Sequence, residues 1–164
     1  MKAVRFHAYG DASQLRYEEA PLPEIGEGEL LIQVHAAGVN PADAQFRRGD
    51  YQAFAPRPLP FIAGWDLSGT VAQVGAAVAG FQPVDRVYAL ADMDSNGAYA
   101  QFIAVRADAV AHAPRRLPLA HAAGVPLAAL TAWQALFDVA GVQAGQTVLV
   151  HAGAGGVGLF AIQL

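Results

Sequence analysis

The chain of 164 residues has the length of about one domain, or of one domain and a part. Apolar residues make up 54% of it and charged residues only 15%, which supports a sizeable core and excludes an intrinsically disordered protein. The net charge of −4 comes without a basic stripe, which argues against a nucleic-acid partner, and no apolar run approaches the roughly 18 residues of a membrane span.

The lack of cysteine excludes several kinds of chemistry together. Disulfides, thiolate catalysis, iron–sulfur clusters and cysteine-ligated zinc all need a residue that this chain does not contain. The amino-terminal segment MKAVRFHAYGD is mixed and strand-like, so it does not resemble a signal peptide. We therefore expect a cytoplasmic protein, with which a cysteine-free chain is compatible.

The first 110 residues are predicted to form strands and turns. One short helix interrupts them at NPADAQFRR, where Asn40 is a good N-cap, Pro41 suits the first helical position and Gly49 ends the helix. The segment 18–29 and the proline-rich segment 53–64 are predicted loops. Alternating apolar residues predict strands over 2–6, 14–18, 29–38, 66–74, 84–89 and 98–105.

The pattern changes near residue 117. Helices are predicted over 119–124 and over 126–140, the second beginning at Pro126, ending before Gly141 and placing Trp133 and Phe137 in the core. The following segment QTVLVH, residues 146–151, is continuously apolar. This pattern is typical of a strand that is buried on both faces of a parallel sheet.

A glycine-rich turn follows at once and opens a last, apolar helix. Gly153, Gly155 and Gly158 give the spacing G-x-G-x-x-G, with Gly156 as an extra glycine. Between a strand and a helix this spacing lets the backbone approach a dinucleotide diphosphate, so we predict cofactor contacts from the three glycines, Gly156 and Val157. The alternative is a glycine turn without a ligand. The residue that would distinguish NADH from NADPH is expected about 20 positions further on, past Leu164.

Five segments resemble the medium-chain dehydrogenase/reductase superfamily, and within it the zinc-independent quinone oxidoreductase branch. They occur in family order: AAGVNPADAQFRRGDY (36–51), GWDLSGTVAQVG (64–75), NGAYAQF (96–102), AAGVPLAALTAWQAL (122–136) and VLVHAGAGGVG (148–158). One departure is Val84, where relatives usually carry glycine. Because valine disfavours positive φ, either this turn differs or it costs stability.

The resemblance implies a mixed β and α/β architecture. Residues 1–124 would form a GroES-like, β-rich catalytic domain, and residues 125–164 the first strand and helix of a Rossmann domain. A complete member is about twice as long and can be a homodimer. We therefore expect this chain alone to expose apolar surface around four residues and to be unstable or to need a second polypeptide: Val148, Val150, Phe160 and Ile162.

The positions that hold catalytic zinc in relatives carry other residues here. Those relatives use a cysteine after the strand at 29–38 and a His-Glu pair near 65–66, where this chain has Val39-Asn40 and Trp65-Asp66. The five histidines are scattered without metal-ligand spacing, so no metal is expected. Without a Lewis acid for an alkoxide, an acceptor that is already electrophilic becomes the better substrate.

Four further residues are site candidates by the same resemblance. Asn40 would contact the cofactor or substrate, or is only an N-cap; Asp43 would be catalytic, or only favours the first turn of its helix. Tyr51 would donate a hydrogen bond to a developing oxygen anion, or is a half-buried loop aromatic, and the branch has a second tyrosine where this chain has Gln45. Thr131 would approach the nicotinamide, or bonds back to the preceding turn.

These features predict an NAD(P)H-dependent oxidoreductase, with NADPH as cofactor and NADH as the alternative. It would transfer hydride to a small quinone or conjugated enone without zinc. An enoyl-thioester reductase of the same superfamily is the second enzymatic possibility. The third is a truncated fragment without catalytic activity.

Overall fold

A computed structural model describes residues 1–95 and 97–164. It contains eight strands: β1 Lys2–Phe6, β2 Leu15–Glu19, β3 Glu29–Ala37, β4 Phe61–Ile62, β5 Asp66–Val74, β6 Arg86–Leu90, β7 Phe102–Arg106 and β8 Val110–His112. Its α-helices are α1 Pro41–Arg48, α2 Leu119–Ala122, α3 Pro126–Trp133 and α4 Gly156–Gln163, with short 3-10 turns at Ala12–Gln14 and Ala107–Ala109 and a π-helical segment at Gln134–Val139. In these described ranges, no helix is both long and apolar enough to cross a membrane.

Two antiparallel sheets form the β-rich part. The larger sheet has the strand order β7-β3-β5-β6-β8, and the smaller one has the order β2-β1-β4. Strand β5 is central and pairs with β3 on one side and with β6 on the other, with Leu67 opposite Ala37 and Asp66 opposite Leu90. Helix α2 packs on β3, β5 and β6, and α3 on β5 and β6. The first residue of β5 therefore lies beside these helices.

One core joins both sheets to α1. Trp65 is fully buried just before β5, and its indole meets the ring of Phe46 edge-on, with 4.8 Å between ring centroids. Aromatic pairs in this geometry stabilise packing beyond the area that they bury. The larger members of this core are Phe6, Leu30, Ile32, Phe46, Phe61, Trp65, Leu67, Val71, Val87, Ile103 and Val105.

Helix α1 forms as the sequence predicts. Asn40 is extended at the N-cap with φ −120°, Pro41 occupies the first helical position, and Gly49 ends the helix in the left-handed conformation with φ 91°. Proline loses no hydrogen bond there, and glycine adopts a positive φ without the clash of a Cβ atom.

Two predicted strands begin later than expected, and one predicted loop contains a strand. β6 begins at Arg86 because Val84 has φ 69° and forms the preceding turn. β7 begins at Phe102, because Tyr99 makes isolated bonds to Ala63 and Val4 rather than to a neighbouring strand of the large sheet. Within 53–64, Phe61–Ile62 forms β4 on the edge of β1.

The predicted helix over 126–140 changes its character midway. It is α-helical to Trp133 and π-helical over Gln134–Val139. The prediction that Trp133 lies in the core is wrong, since its side chain is 49% exposed. Its ring instead contacts the ring of half-buried Phe137 in a tilted arrangement, with 4.7 Å between centroids. The described residues supply no element that covers this part of the helix.

The strand predicted at 146–151 is wrong for this chain. The segment has no strand assignment, and Leu149 is 81% exposed. A parallel strand needs a neighbour to satisfy its backbone, and the described residues place none beside it. The predicted exposure of Val148 and Ile162 is confirmed, whereas Val150 and Phe160 are half-buried.

We predict that Val84→Gly stabilises the chain. Val84 is 79% exposed and has positive φ, which costs a residue with a Cβ atom roughly 1–2 kcal/mol, while the greater freedom of glycine in the unfolded chain offsets about half of the gain. Urea denaturation should show a free energy of unfolding higher by about 0.5–1 kcal/mol.

Val139→Gly is the matched control. Val139 is 84% exposed but lies in a right-handed helical segment, where replacing valine by glycine is expected to cost roughly 0.5 kcal/mol. A loss of stability in both variants would contradict strain at Val84.

Candidate functional site

Two buried carboxylates lie at the start of the central strand. Asp66 is 1% exposed and Asp43 is 5% exposed. The Asp66 Oδ2 atom accepts a hydrogen bond from Asn40 Nδ2 at 2.9 Å, and its Oδ1 atom accepts one from the backbone N–H of Leu127 at 2.7 Å. One carboxylate thus bonds both the residue before α1 and the first turn of α3.

Asp43 closes the first turn of α1. Its Oδ2 atom accepts the backbone N–H of Asn40 at 2.6 Å and the hydroxyl of Tyr99 at 2.8 Å, and its own N–H donates to the Asn40 carbonyl at 3.0 Å. These bonds agree with the alternative that Asp43 favours a helix start. Its catalytic role stays a prediction.

Burial controls the electrostatics of both acids. It raises the pKa of Asp66, and the nearby charge of Asp43 raises it further, whereas the hydrogen bonds from Asn40 and Leu127 act in the opposite direction. Burial also raises the pKa of Asp43, against the hydrogen bonds that favour its charged form. Burial and the adjacent Asp43 raise the pKa of Tyr99, so its hydroxyl remains a donor.

Tyr51 lies in the turn after α1, and its hydroxyl donates to Gln45 Oε1 at 2.6 Å. Its half-buried ring lies 4.8 Å from that of Phe46 and 5.4 Å from that of Phe54. A tyrosine hydroxyl has one hydrogen to donate. In this pair the amide nitrogen of Gln45 is therefore the group that still has hydrogens to offer.

Thr131 lies on α3, one turn beyond Leu127. Its hydroxyl donates to the Leu127 carbonyl at 2.7 Å, and the residue is exposed. This is the bond to the preceding turn that the sequence offered as its alternative. A contact with nicotinamide stays a prediction.

The glycine turn precedes α4 and approaches it closely. Ala152, rather than Gly153, takes the left-handed conformation, with φ 53°, and its carbonyl accepts the N–H of Gly155 at 2.9 Å. A Cβ atom on Gly158 would lie 2.3 Å from the Ala152 oxygen. Glycine at 158 is therefore required for the helix to pack against this turn, as the motif predicts.

The start of α4 fits an anionic group. Gly155 is the N-cap, and it makes no side-chain cap hydrogen bond to the first N–H groups of the helix, those of Gly156, Val157 and Gly158. Amides at these positions have no acceptor within their own helix and carry the positive end of its dipole. This backbone cradle is suited to the diphosphate of a dinucleotide.

A metal site is not evident in the part of the chain that the structure describes. There, no group of three or more His, Cys, Asp or Glu side chains is close enough to hold a metal ion. Trp65, where zinc-dependent relatives carry histidine, is packed into the core.

The sequence did not reveal the partners that complete this site. Tyr99 joins Asp43 from 56 positions away, and Leu127 joins Asp66 from 61 positions away. The one signal for Asp66 in the sequence was its position as a charged residue at the start of an apolar strand. A charged side chain that is buried there must receive hydrogen bonds from donors elsewhere in the chain.

Comparisons with known proteins agree with this architecture. The family model described as alcohol dehydrogenase GroES-like domain matches residues 26–115. A chloroplastic quinone-oxidoreductase from Triphysaria versicolor is 34% identical over the whole chain, which covers 52% of that protein. A chloroplastic NADPH-dependent alkenal/one oxidoreductase from Arabidopsis thaliana is 40% identical over the whole chain, which covers 44% of it.

A solved mycobacterial structure in complex with NADPH is similar over 99% of this chain and 49% of its own, with a TM-score of 0.88 and 42% identity. The chain thus spans about half the length of the relatives that it matches.

The raised pKa of Asp66 predicts a pH dependence. When the pH is lowered, an acid with a higher pKa in the folded chain binds its proton in the folded state before it does so in the unfolded state. Its contribution to stability is therefore greatest below the unfolded value of about 4, and it falls as the pH rises through the higher folded value. The free energy of unfolding of the wild type minus that of Asp66→Asn should decrease from pH 4 to neutral pH.

Urea denaturation over this pH range measures the difference. Repeating it at high salt separates the buried group from exposed ion pairs such as Lys2–Glu19, because salt screens the latter far more. A difference that is flat, or that increases with pH, would contradict the assignment.

Proposed function

The chain belongs to the family of alcohol dehydrogenase GroES-like domains, and we propose that its natural gene product is an NADPH-dependent oxidoreductase that reduces a quinone or conjugated enone. The observation that carries the proposal is that whole-chain relatives include a quinone-oxidoreductase and an NADPH-dependent alkenal/one oxidoreductase. Residues 1–124 would be the catalytic domain, and residues 125–164 the beginning of the cofactor domain.

The cofactor would contact the glycine turn. Backbone N–H groups of Gly156, Val157 and Gly158 would hold its diphosphate, and the small residues Gly153 and Gly155 would leave room for it. Thr131, exposed on α3, would face the nicotinamide. The bound cofactor supplies a hydride, and the residues of this chain supply its position.

The acceptor would bind beside the start of α1. Hydride addition to a quinone or to the β-carbon of an enone places negative charge on an oxygen, which a hydrogen-bond donor stabilises. Tyr51 and Gln45 form the candidate donor pair, with Gln45 Nε2 offering the hydrogens because Tyr51 donates to Gln45 Oε1. Asn40 would line the same site. Asp43 would hold Asn40 in place by accepting the hydrogen bond from the backbone N–H of Asn40. An acceptor of this class is electrophilic without a Lewis acid, so the reaction would need no zinc.

A cofactor oxidation assay tests the function. The natural gene product is mixed with NADPH or NADH and with three acceptor classes: a small quinone, a conjugated enone and an enoyl thioester. We expect loss of the reduced-nicotinamide absorbance with NADPH and with the first or second class. Oxidation with the thioester alone would assign the alternative reductase, and no oxidation together with no binding in calorimetry would overturn the proposal.

Gly155→Ala tests the proposed cradle. Its Cβ atom would lie 3.3 Å from the Ala152 oxygen, a contact that a shift of a few tenths of an ångström relieves, so the fold should persist. The added methyl group would hold the diphosphate away from the backbone and raise the dissociation constant for NADPH by about tenfold or more, measured by calorimetry.

Gly124→Ala is the control. Its Cβ atom would meet nothing closer than 3.7 Å, and the residue is not part of the turn. Equal NADPH affinity in the Gly155→Ala and wild-type proteins would contradict the cradle.

A further inference from the structure

We propose that Asp66 is a positioning residue that holds Asn40 and the first turn of α3 in one rigid frame, and so sets the two sides of the site relative to each other. The inference rests on the proposed function, because Asn40 and Thr131 are its candidate contacts with the ligands. Asp66 itself is too deeply buried to touch a substrate.

The first arm of this frame fixes the Asn40 amide. A carboxylate only accepts hydrogen bonds, so the amide nitrogen of Asn40 must face Asp66 Oδ2, as it does at 2.9 Å. Asp66 thereby selects one of the two orientations that the amide could take. At the first turn of α1, Asn40 and Asp43 form a capping box, in which the backbone N–H of Asn40 donates to Asp43 Oδ2 at 2.6 Å.

The second arm fixes α3. The N-cap of this helix is Val125, whose side chain cannot accept a hydrogen bond, and Pro126 at its first position has no N–H. The N–H of Leu127 is therefore the first of the helix that needs a partner, and Asp66 Oδ1 accepts it at 2.7 Å. Thr131 bonds to the Leu127 carbonyl and follows this anchor by one turn.

Stability alone does not account for a carboxylate here. Asp66 has no ion-pair partner among the described residues, and burial raises its pKa, which means that its charge is unfavourable. With the Asn40 amide nitrogen turned toward residue 66, as observed, a residue with two acceptor oxygens is nonetheless needed for each donor to have its own acceptor oxygen. The geometry therefore points to alignment of the two elements.

Ser68 provides an internal comparison. It lies two residues further along the same face of β5, is fully buried, and donates to the Leu119 carbonyl of α2 at 2.5 Å. Ser68 thus anchors a helix to the same strand as Asp66 does, but it contacts no candidate site residue in the hydrogen bonds of the described chain.

Asp66→Asn in the natural gene product tests the frame. An asparagine offers one acceptor atom and one donor atom, so it keeps both bonds only if the Asn40 amide turns over. We expect kcat to fall by roughly 10- to 100-fold while KM for NADPH changes by less than about twofold, because the reacting groups are misaligned rather than unbound. The side-chain amide resonances of Asn40 should shift in the NMR spectrum.

Ser68→Ala is the matched control. It should shift the urea midpoint of unfolding to a lower concentration and leave kcat unchanged. An unchanged kcat in Asp66→Asn would overturn the proposal. It would also be overturned if kcat fell equally in both variants and in proportion to their folded fraction.

A measurement on the unmutated protein keeps the proposal testable if Asp66→Asn does not fold. A through-hydrogen-bond NMR coupling is expected between the Leu127 amide nitrogen and the Asp66 carboxyl carbon, and its absence would overturn the frame. If no acceptor is reduced by the wild type, the proposed function fails, while this coupling and the Asn40 resonances still decide whether Asp66 holds the two elements.

Discussion

The buried carboxylate at the start of β5 imposes the constraint on which the site depends. A charged group that is removed from water must receive hydrogen bonds, and Asp66 receives them from Asn40 and from the backbone of Leu127. These two donors are 87 residues apart in sequence, since Asn40 precedes α1 and Leu127 lies in the first turn of α3. The satisfied carboxylate therefore brings together the loop and the helix that the proposed reaction uses.

Apolar packing and hydrogen bonds both hold α1 in place near Asp66. The edge-on contact of Trp65 with Phe46 presses α1 onto the sheet one residue before Asp66. Asp43 fixes the start of the same helix through Asn40, and Tyr99 donates to Asp43 from the segment before β7. Since both acids are buried, each hydrogen bond is stronger than it would be in water and more costly to lose. The candidate acceptor side is thus held by a connected network.

The candidate cofactor side, formed by the glycine turn and α4, depends on close backbone contacts rather than on buried charges. Gly158 allows α4 to approach the turn at Ala152, and the N-cap Gly155 makes no side-chain cap hydrogen bond to the first helical amides. Helix α4 packs on α3, but Leu149 and Ile162 remain exposed around it. The turn is thus held by close local contacts, whereas the apolar side chains near it stay exposed.

The sequence by itself determined the features that depend on neighbouring residues. Asn40, Pro41 and Gly49 specify α1 because capping and φ preferences act within one turn, and the glycine spacing at 153–158 specifies the last turn for the same reason. Only the tertiary structure decided the rest. It placed Tyr99 and Leu127 against the two acids, since a buried polar group can take its partner from any distance along the chain. It also left 146–151 without strand structure, because an apolar pattern forms a strand only where a neighbour completes its hydrogen bonds.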